Sequence, residues 1–220
     1  MVESNFAKWL DLTFAGFDGA ILEFYHRLAE WGGAVLTPIM RLVSFTGDKA
    51  LVLFALALVL CLFVKTRKCG LCMFVAICCG ALMTNVILKE TICRVRPYEA
   101  SEAFRALWSF VGAHAESEFS FPSGHTTAAA AAATGLWLAG GKKYLAVSIP
   151  YVALMAASRN YFVVHYPTDV IAGAIVGTIG GIAAYFITIG IYRALKKHEN
   201  AGFCRFMLNF DVIAAFRKKN

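Results

Sequence analysis

Long apolar segments set the strongest limit on how this chain can fold. Five mostly hydrophobic runs cover roughly residues 50–64, 70–88, 124–141, 144–157 and 170–192. A helix needs about 20 apolar residues to cross the hydrocarbon core of a bilayer, so the second, third and fifth runs are long enough to span it. The first and fourth are short, but polar ends can lengthen them where they face the interior of a bundle.

The composition agrees with a membrane protein. Of the 220 residues, 59% are hydrophobic and 16% are charged, whereas a soluble domain carries about 25% charged residues. We therefore expect an all-α fold, a polytopic membrane bundle of about six helices. Gly173, Gly177 and Gly181 recur every four residues, a spacing typical of closely packed membrane helices.

The chain is expected to divide into three parts. Residues 1–46 form an N-terminal part, in which several charged residues argue against a simple lipid-facing span. This part is either a first membrane helix, partly buried, or an interfacial helix, and the pattern leaves both open. Residues 47–192 form the membrane core, and residues 193–220 form a basic tail.

Short basic clusters predict the orientation in the membrane. They lie at residues 65–68, 142–143 and 193–197, and if all five runs cross, these clusters share one side. The positive-inside rule makes that side cytoplasmic, in a cell membrane. Residues 89–121 and 158–169 then face outward. The net charge of +7 therefore indicates membrane lipids rather than nucleic acid as the partner, and protein partners are not predicted.

Three cations are expected on the outward face. They are Lys89, Arg96 (followed by Pro97) and Arg159 (preceded by Ser158). Charge held near lipid is costly unless an anion compensates it, so a phosphate group is the natural ligand. Lys89 and Arg96, each taken alone, could be ordinary interfacial anchors.

Two histidines accompany these cations. His125 ends the sequence Pro122-Ser123-Gly124-His125, where a helix is expected to begin and its N–H groups would attract an anion. His165 precedes Asp169 by four residues, so the carboxylate could fix the ring tautomer and leave the other nitrogen free to act as a nucleophile or base. Ser123 and Gly124 could simply cap a helix, and His165 could be a structural histidine. The three motifs, at residues 89–97, 122–125 and 158–169, are all expected on one face, and this coincidence argues against the simpler interpretations.

These motifs resemble those of the type 2 phosphatidic acid phosphatase superfamily, which also includes vanadium haloperoxidases. The resemblance covers residues 89–169 and has no gap or substitution in the motifs. It implies that His165 forms a phosphohistidine, that Asp169 orients it and that His125 is the general acid. It further implies that phosphate is bound without a metal or other cofactor, by the side chains or backbone of Lys89, Arg96, Ser123, Gly124 and Arg159.

The expected function is hydrolysis of a lipid phosphate or diphosphate on the outer face of the membrane, with undecaprenyl diphosphate as the preferred substrate. Phosphatidylglycerophosphate and phosphatidate are the alternatives, because the motifs recognise only phosphate. A vanadium-dependent haloperoxidase is a remote alternative, which the membrane segments disfavour. An anion transporter is another, although it would have no need of the His165–Asp169 pair.

Overall fold

The structure, a computed structural model, describes residues 2–217, and the side chains up to residue 214. All regular secondary structure in this part of the chain is helical, which confirms the all-α expectation. The α-helices are α1 (Asn5–Gly47), α2 (Leu51–Cys61), α3 (Arg67–Ala81), α4 (Lys89–Ile92), α5 (Pro97–Ala100), α6 (Glu102–Phe110), α7 (Gly124–Gly140), α8 (Leu145–Tyr161), α9 (Pro167–Lys197), α10 (Gly202–Asn209) and α11 (Val212–Arg217).

Helices α3, α7 and α9 pack closely against one another through small residues. A Cβ atom added at Gly177 would lie 2.3 Å from the backbone oxygen of Thr127, and one added at Gly181 would lie 2.5 Å from Cβ of Thr134. The four-residue glycine repeat therefore marks a close contact between α9 and α7, as the spacing predicts.

Three continuous stretches are long and apolar enough to cross a membrane: Asn5–Cys61, Arg67–Ala100 and Pro167–Lys197. Helices α7 and α8 have 17 residues each, fewer than the about 20 that a full crossing needs. Helix α7 buries a run of alanines, and α8 buries its polar C-terminal turn.

Helix α1 occupies the region whose structure the sequence left open. It begins at Asn5, bends at Gly32 and ends at Gly47, and residues 48–50 separate it from α2. In this break between the two helices, Lys49 and Ala50 have positive φ angles of 47° and 54°, a conformation that residues other than glycine adopt rarely.

One end of the bundle gathers the predicted site residues. There the N–H of Ser123, at the start of α7, donates to the backbone oxygen of Asp169 in the first turn of α9, at 3.0 Å. At the opposite end Arg67 donates to the backbone oxygen of Met207 at 2.9 Å, which fastens α10 to the start of α3.

Candidate active site

Two adjoining cavities open at the end of the bundle that holds the site residues. The first, of about 330 Å³, is lined by five predicted site residues: Lys89, Arg96, Gly124, His125 and His165. The second, of about 290 Å³, is lined by Arg159 and again by His125. The remaining two, Ser123 and Asp169, are fully buried behind the cavity walls. The structure thus brings all eight predicted residues into one region.

The cavity wall near Lys89 is shaped by an unusual helical segment. Residues Leu82–Leu88 form a π-helix between α3 and α4, and such wider turns occur frequently at functional sites. This segment directs Asn85 and Lys89 towards Gly124. A Cβ added at Gly124 would lie 3.4 Å from Oδ1 of Asn85 and 3.8 Å from Nζ of Lys89. Glycine therefore leaves open space at the N-terminus of α7, beside an ammonium group.

The N-terminus of α7 is available to an anion. Ser123 is its N-cap residue, but no side chain caps the first turn. The backbone N–H groups of that turn and the positive end of the helix dipole face the Lys89 side of the cavity.

Arg96 is fixed by backbone oxygens rather than by a carboxylate. Its Nε donates to the backbone oxygen of Glu118 and its Nη1 to that of Val164, each at 2.7 Å. The same Nη1 lies 3.3 Å from Nε2 of His165. The guanidinium therefore lies beside the imidazole ring, and no carboxylate among the described residues forms an ion pair with it.

The ring of His165 is oriented by this contact. A guanidinium can only donate, so Nε2 of His165 accepts and the ring proton lies on Nδ1. Burial, together with the positive charges of Arg96, Arg159 and Lys89, lowers the pKa of His165 well below its usual value. The ring is therefore neutral at neutral pH, with the lone pair of Nε2 on the Arg96 side.

His165 is presented by a tight turn between α8 and α9. In this turn the N–H of Val163 donates to the backbone oxygen of Asn160 at 3.0 Å. Val163 has a φ of 55°, an uncommon conformation for a β-branched residue. The turn thus holds strained backbone two residues before the histidine, as functional sites often do.

Asp169 lies behind His165 but does not bond it directly. Its Oδ2 is 3.6 Å from Nδ1 of His165, beyond ordinary hydrogen-bond length. That oxygen accepts instead from the hydroxyl of Ser120 at 2.5 Å and from the N–H of Tyr166 at 2.9 Å. The Ser120 hydroxyl is also 3.5 Å from Nδ1 of His165, so it contacts both the carboxylate and the ring.

Two carboxylates from the loop between α6 and α7 form ion pairs with the other two cations, Lys89 and Arg159. Glu118 pairs with Lys89, and Glu116 pairs with Arg159. The hydrogen bond from Lys89 lowers the pKa of Glu118, so this carboxylate is charged at neutral pH. Arg159 is almost completely buried, yet its Nε has no hydrogen-bond partner among the described residues. Glu116 accepts from Nη2 of Arg159, so Nε is open to a further acceptor.

Four residues of the site were not predicted from the sequence: Arg94, Glu116, Glu118 and Ser120. Arg94 is fully buried and donates to Oδ1 of Asp169 at 2.5 Å. The only sequence signal was its position two residues before Arg96. The acids and the serine lie in an irregular loop, where spacing carries no directional information.

The sequence and the fold can be compared with known proteins on this basis. The sequence model of the PAP2 superfamily matches residues 69–192. The matched segment contains all eight predicted residues, together with Arg94 and the two loop acids.

Three individual relatives match this chain at sequence identities between 25% and 32%. The chain is 32% identical over 135 residues to a lipid A 4'-phosphatase of Bacteroides thetaiotaomicron, covering 59% of this chain and 60% of that protein. It is 28% identical over 145 residues to an undecaprenyl-diphosphatase of Sulfolobus acidocaldarius, covering 66% and 67%. The crystal structure of a transmembrane PAP2-type phosphatidylglycerolphosphate phosphatase from Bacillus subtilis aligns with a TM-score of 0.60 and 25% identity, over 88% of this chain and 95% of that one.

Proposed function

The chain belongs to the PAP2 superfamily, and from that membership we propose that it is an integral membrane phosphatase acting on a lipid phosphate or diphosphate. One observation carries the proposal. The neutral His165 places its lone-pair nitrogen 3.3 Å from the unpaired guanidinium of Arg96, at the wall of a cavity that Lys89 also lines. A nucleophile beside fixed cations is the arrangement that phosphoryl transfer requires.

The proposed reaction has two steps. In the first, Nε2 of His165 bonds to the terminal phosphorus, and the bond from that phosphorus to the leaving oxygen breaks. The leaving oxygen is the lipid oxygen of a monophosphate or the bridging oxygen of a diphosphate. His125, protonated when the negative phosphate lies beside it, gives its proton to that oxygen. In the second, His125 takes a proton from water, the resulting hydroxide attacks phosphorus, and the P–N bond breaks to release inorganic phosphate.

The surrounding groups have separate tasks in this mechanism. The charge that develops on the histidine ring is balanced by Asp169, through the hydroxyl of Ser120. The phosphate oxygens are held by Lys89, Arg96 and Arg159 and by the N-terminus of α7 at Ser123 and Gly124. To reach Lys89 and Arg159, the phosphate must displace Glu118 and Glu116.

We propose undecaprenyl diphosphate as the preferred substrate, hydrolysed on the outer face of the cell membrane. The name of the Sulfolobus relative supports this choice. So does the lining of the larger cavity, which adds the apolar side chains of Phe54, Ile77, Ala81 and Ala128 to the polar site residues. Phosphatidylglycerophosphate is a second candidate, favoured by the similarity to the Bacillus subtilis structure over most of this chain.

The proposal is tested by phosphate release from the purified chain in detergent. Undecaprenyl diphosphate, phosphatidylglycerophosphate and phosphatidate are compared at equal mole fraction, with and without a metal chelator. We expect the fastest turnover on undecaprenyl diphosphate, no loss of activity in chelator, and a His165→Ala variant slower by at least about 1,000-fold. Single-turnover quenching should trap a phosphorylated enzyme that is stable to base and labile to acid.

Different failures of this experiment have different meanings. Equal or faster turnover of another lipid would overturn only the substrate. Intact turnover in His165→Ala, or the absence of a phosphorylated enzyme in single-turnover experiments, would overturn the mechanism. If no lipid phosphate is hydrolysed, the proposed function is wrong.

A further inference from the structure

We propose that Arg94 is a positioning residue that connects the N-terminal helix α1 to the carboxylate behind the nucleophile, and that Asp18 of α1 completes the connection. This inference rests on the proposed function, since it concerns how His165 and Asp169 are held for that reaction. It extends the site to α1, which lies outside residues 69–192.

Arg94 directs every nitrogen of its guanidinium to an oxygen of the protein. Its Nη1 donates to Oδ1 of Asp169 at 2.5 Å and to the hydroxyl of Thr168 at 2.7 Å. Its Nη2 donates to Oδ2 of Asp18 at 3.0 Å, and its Nε to Oδ1 of Asp11 at 2.8 Å. The guanidinium also lies 3.9 Å from the centre of the Tyr166 ring.

Asp18 holds the same part of the chain from the other side. It is 2% exposed and accepts from both the N–H and the hydroxyl of Thr168, at 3.0 and 2.8 Å. Thr168 directly precedes Asp169 in the first turn of α9. Asp18 thus restrains both the guanidinium that binds Asp169 and the backbone that carries it.

The division of contacts at Asp169 indicates a catalytic consequence. Arg94 holds Oδ1, which leaves Oδ2 to face Ser120 and Nδ1 of His165. Without Arg94 the carboxylate could rotate, and it would remain fully buried without a cation. Either change would weaken its support of the charged ring in the transition state, and this support affects kcat rather than substrate binding.

A purely structural role is the competing explanation, because the same bonds fasten α1 to the bundle. The two explanations differ in how mutations combine. If Arg94 acts through Asp169, its replacement has no further effect once Asp169 is neutral. If it only stabilises the fold, its effect multiplies with that of any change at Asp169.

The test uses the full chain in detergent and the lipid phosphate that the wild type hydrolyses. The variants are Arg94→Gln, Asp169→Asn, the double variant and Asp18→Asn. Glu23→Gln serves as the control for a charge change on α1, because Glu23 pairs only with Arg27 on the surface. We expect Arg94→Gln and Asp18→Asn to lower kcat by about 10- to 100-fold, with KM and the control's kcat changed less than about twofold.

The double variant decides the proposal. We expect its kcat to match that of Asp169→Asn alone, and multiplied losses would overturn it. If Arg94→Gln does not fold, Asp18→Asn supplies the result, and a folded Asp18→Asn protein with wild-type kcat would also overturn the proposal. A wild type that hydrolyses no lipid phosphate would instead show that the proposed function itself has failed.

Discussion

At the scale of single residues, two of the three cations expected to bind phosphate are neutralised by the protein's own acids. Glu118 holds Lys89 and Glu116 holds Arg159, with 59% and 35% of the two carboxylate side chains exposed. Their exposure lets both acids turn into water when a phosphate arrives. They therefore compete with every anion that enters the site.

Removing one competitor should strengthen anion binding. We expect Glu118→Gln to lower the inhibition constant of inorganic phosphate about two- to fivefold, because a partly exposed ion pair contributes little energy. The measurement is inhibition of lipid phosphate hydrolysis. Glu102→Gln is the control, because that side chain is 87% exposed and pairs with Arg105. Unchanged or weaker inhibition by phosphate in Glu118→Gln would show that Glu118 does not compete.

The neutral state of His165 also has a consequence for stability. Its pKa in the folded protein is lowered by burial and by Arg96, Arg159 and Lys89. Below pH about 6.5 the unfolded chain binds a proton at this position, while the folded chain still does not. Stability should therefore fall as the pH drops through this value, because the unfolded state binds more protons.

This effect can be isolated by comparing two proteins. We expect the thermal midpoint in detergent to fall more between about pH 7.5 and about pH 5.5 for the wild type than for His165→Gln. Equal falls in the two proteins would mean that the histidine is not held neutral. A comparison at two pH values cancels the constant cost of the substitution itself.

The residues found by sequence share a property that the missed ones lack. Lys89, Arg96 and His165 are ionisable residues in a mostly apolar chain, and their spacing matches the motifs of a known family. Ser120, Glu116 and Glu118 are ordinary loop residues, whose contacts depend on how an irregular segment turns. Arg94 carries an equally conspicuous charge, but its partners at residues 11 and 18 are distant in sequence.

At the scale of helices, the site depends on how closely α7 and α9 approach, since α7 begins at Gly124 and α9 contains Asp169. A Cβ at Gly177 would meet the backbone oxygen of Thr127 at 2.3 Å, Cβ of Ala130 at 2.8 Å and the backbone nitrogen of Ala131 at 2.9 Å. Most of these neighbours are backbone atoms of a packed helix, which cannot move aside cheaply.

Gly177→Ala should therefore destabilise the protein by about 1–3 kcal/mol. We expect a lower thermal midpoint in detergent and a loss of activity, because separation of the helices would displace the N-terminus of α7. Gly190→Ala on the same helix is the matched control, because a Cβ there has no atom within 4 Å. Alanine at that position should leave the midpoint unchanged or raise it. A Gly177→Ala protein as stable as this control would contradict the expected clash.

Helices with a clear apolar pattern were predictable, and those without one were not. Helices α3, α7 and α9 overlap with the three longest apolar runs of the sequence, at residues 70–88, 124–141 and 170–192. In α1, charges interrupt the pattern, and its inner face carries Asp18 to meet Arg94 rather than an apolar partner. At the break between α1 and α2 the positive φ angles fall on Lys49 and Ala50 rather than on the nearby Gly47, so the glycine did not reveal which residues adopt them.

At the scale of the whole molecule, the candidate site and the basic cluster at residues 65–68 lie at opposite ends of the bundle. The cavities are at the end that includes the start of α7 and α9, whereas Arg67 and the segment it fastens lie at the other. Consecutive helices of the bundle run in opposite directions, so the segments that connect them lie alternately at its two ends. The order of apolar and polar segments in the sequence therefore predicts this arrangement. The side of the membrane that each end faces remains part of the proposed function.

The buried contacts of Arg94 also determine how short a working version of this protein can be. The recognisable family segment covers residues 69–192, but two carboxylates that neutralise Arg94 belong to residues 11 and 18. A protein trimmed to the family segment would keep the guanidinium and lose both of these partners, and breaking such a buried pair costs about 3–5 kcal/mol. The contacts that hold the site together therefore extend beyond the segment that the family model matches, and include α1.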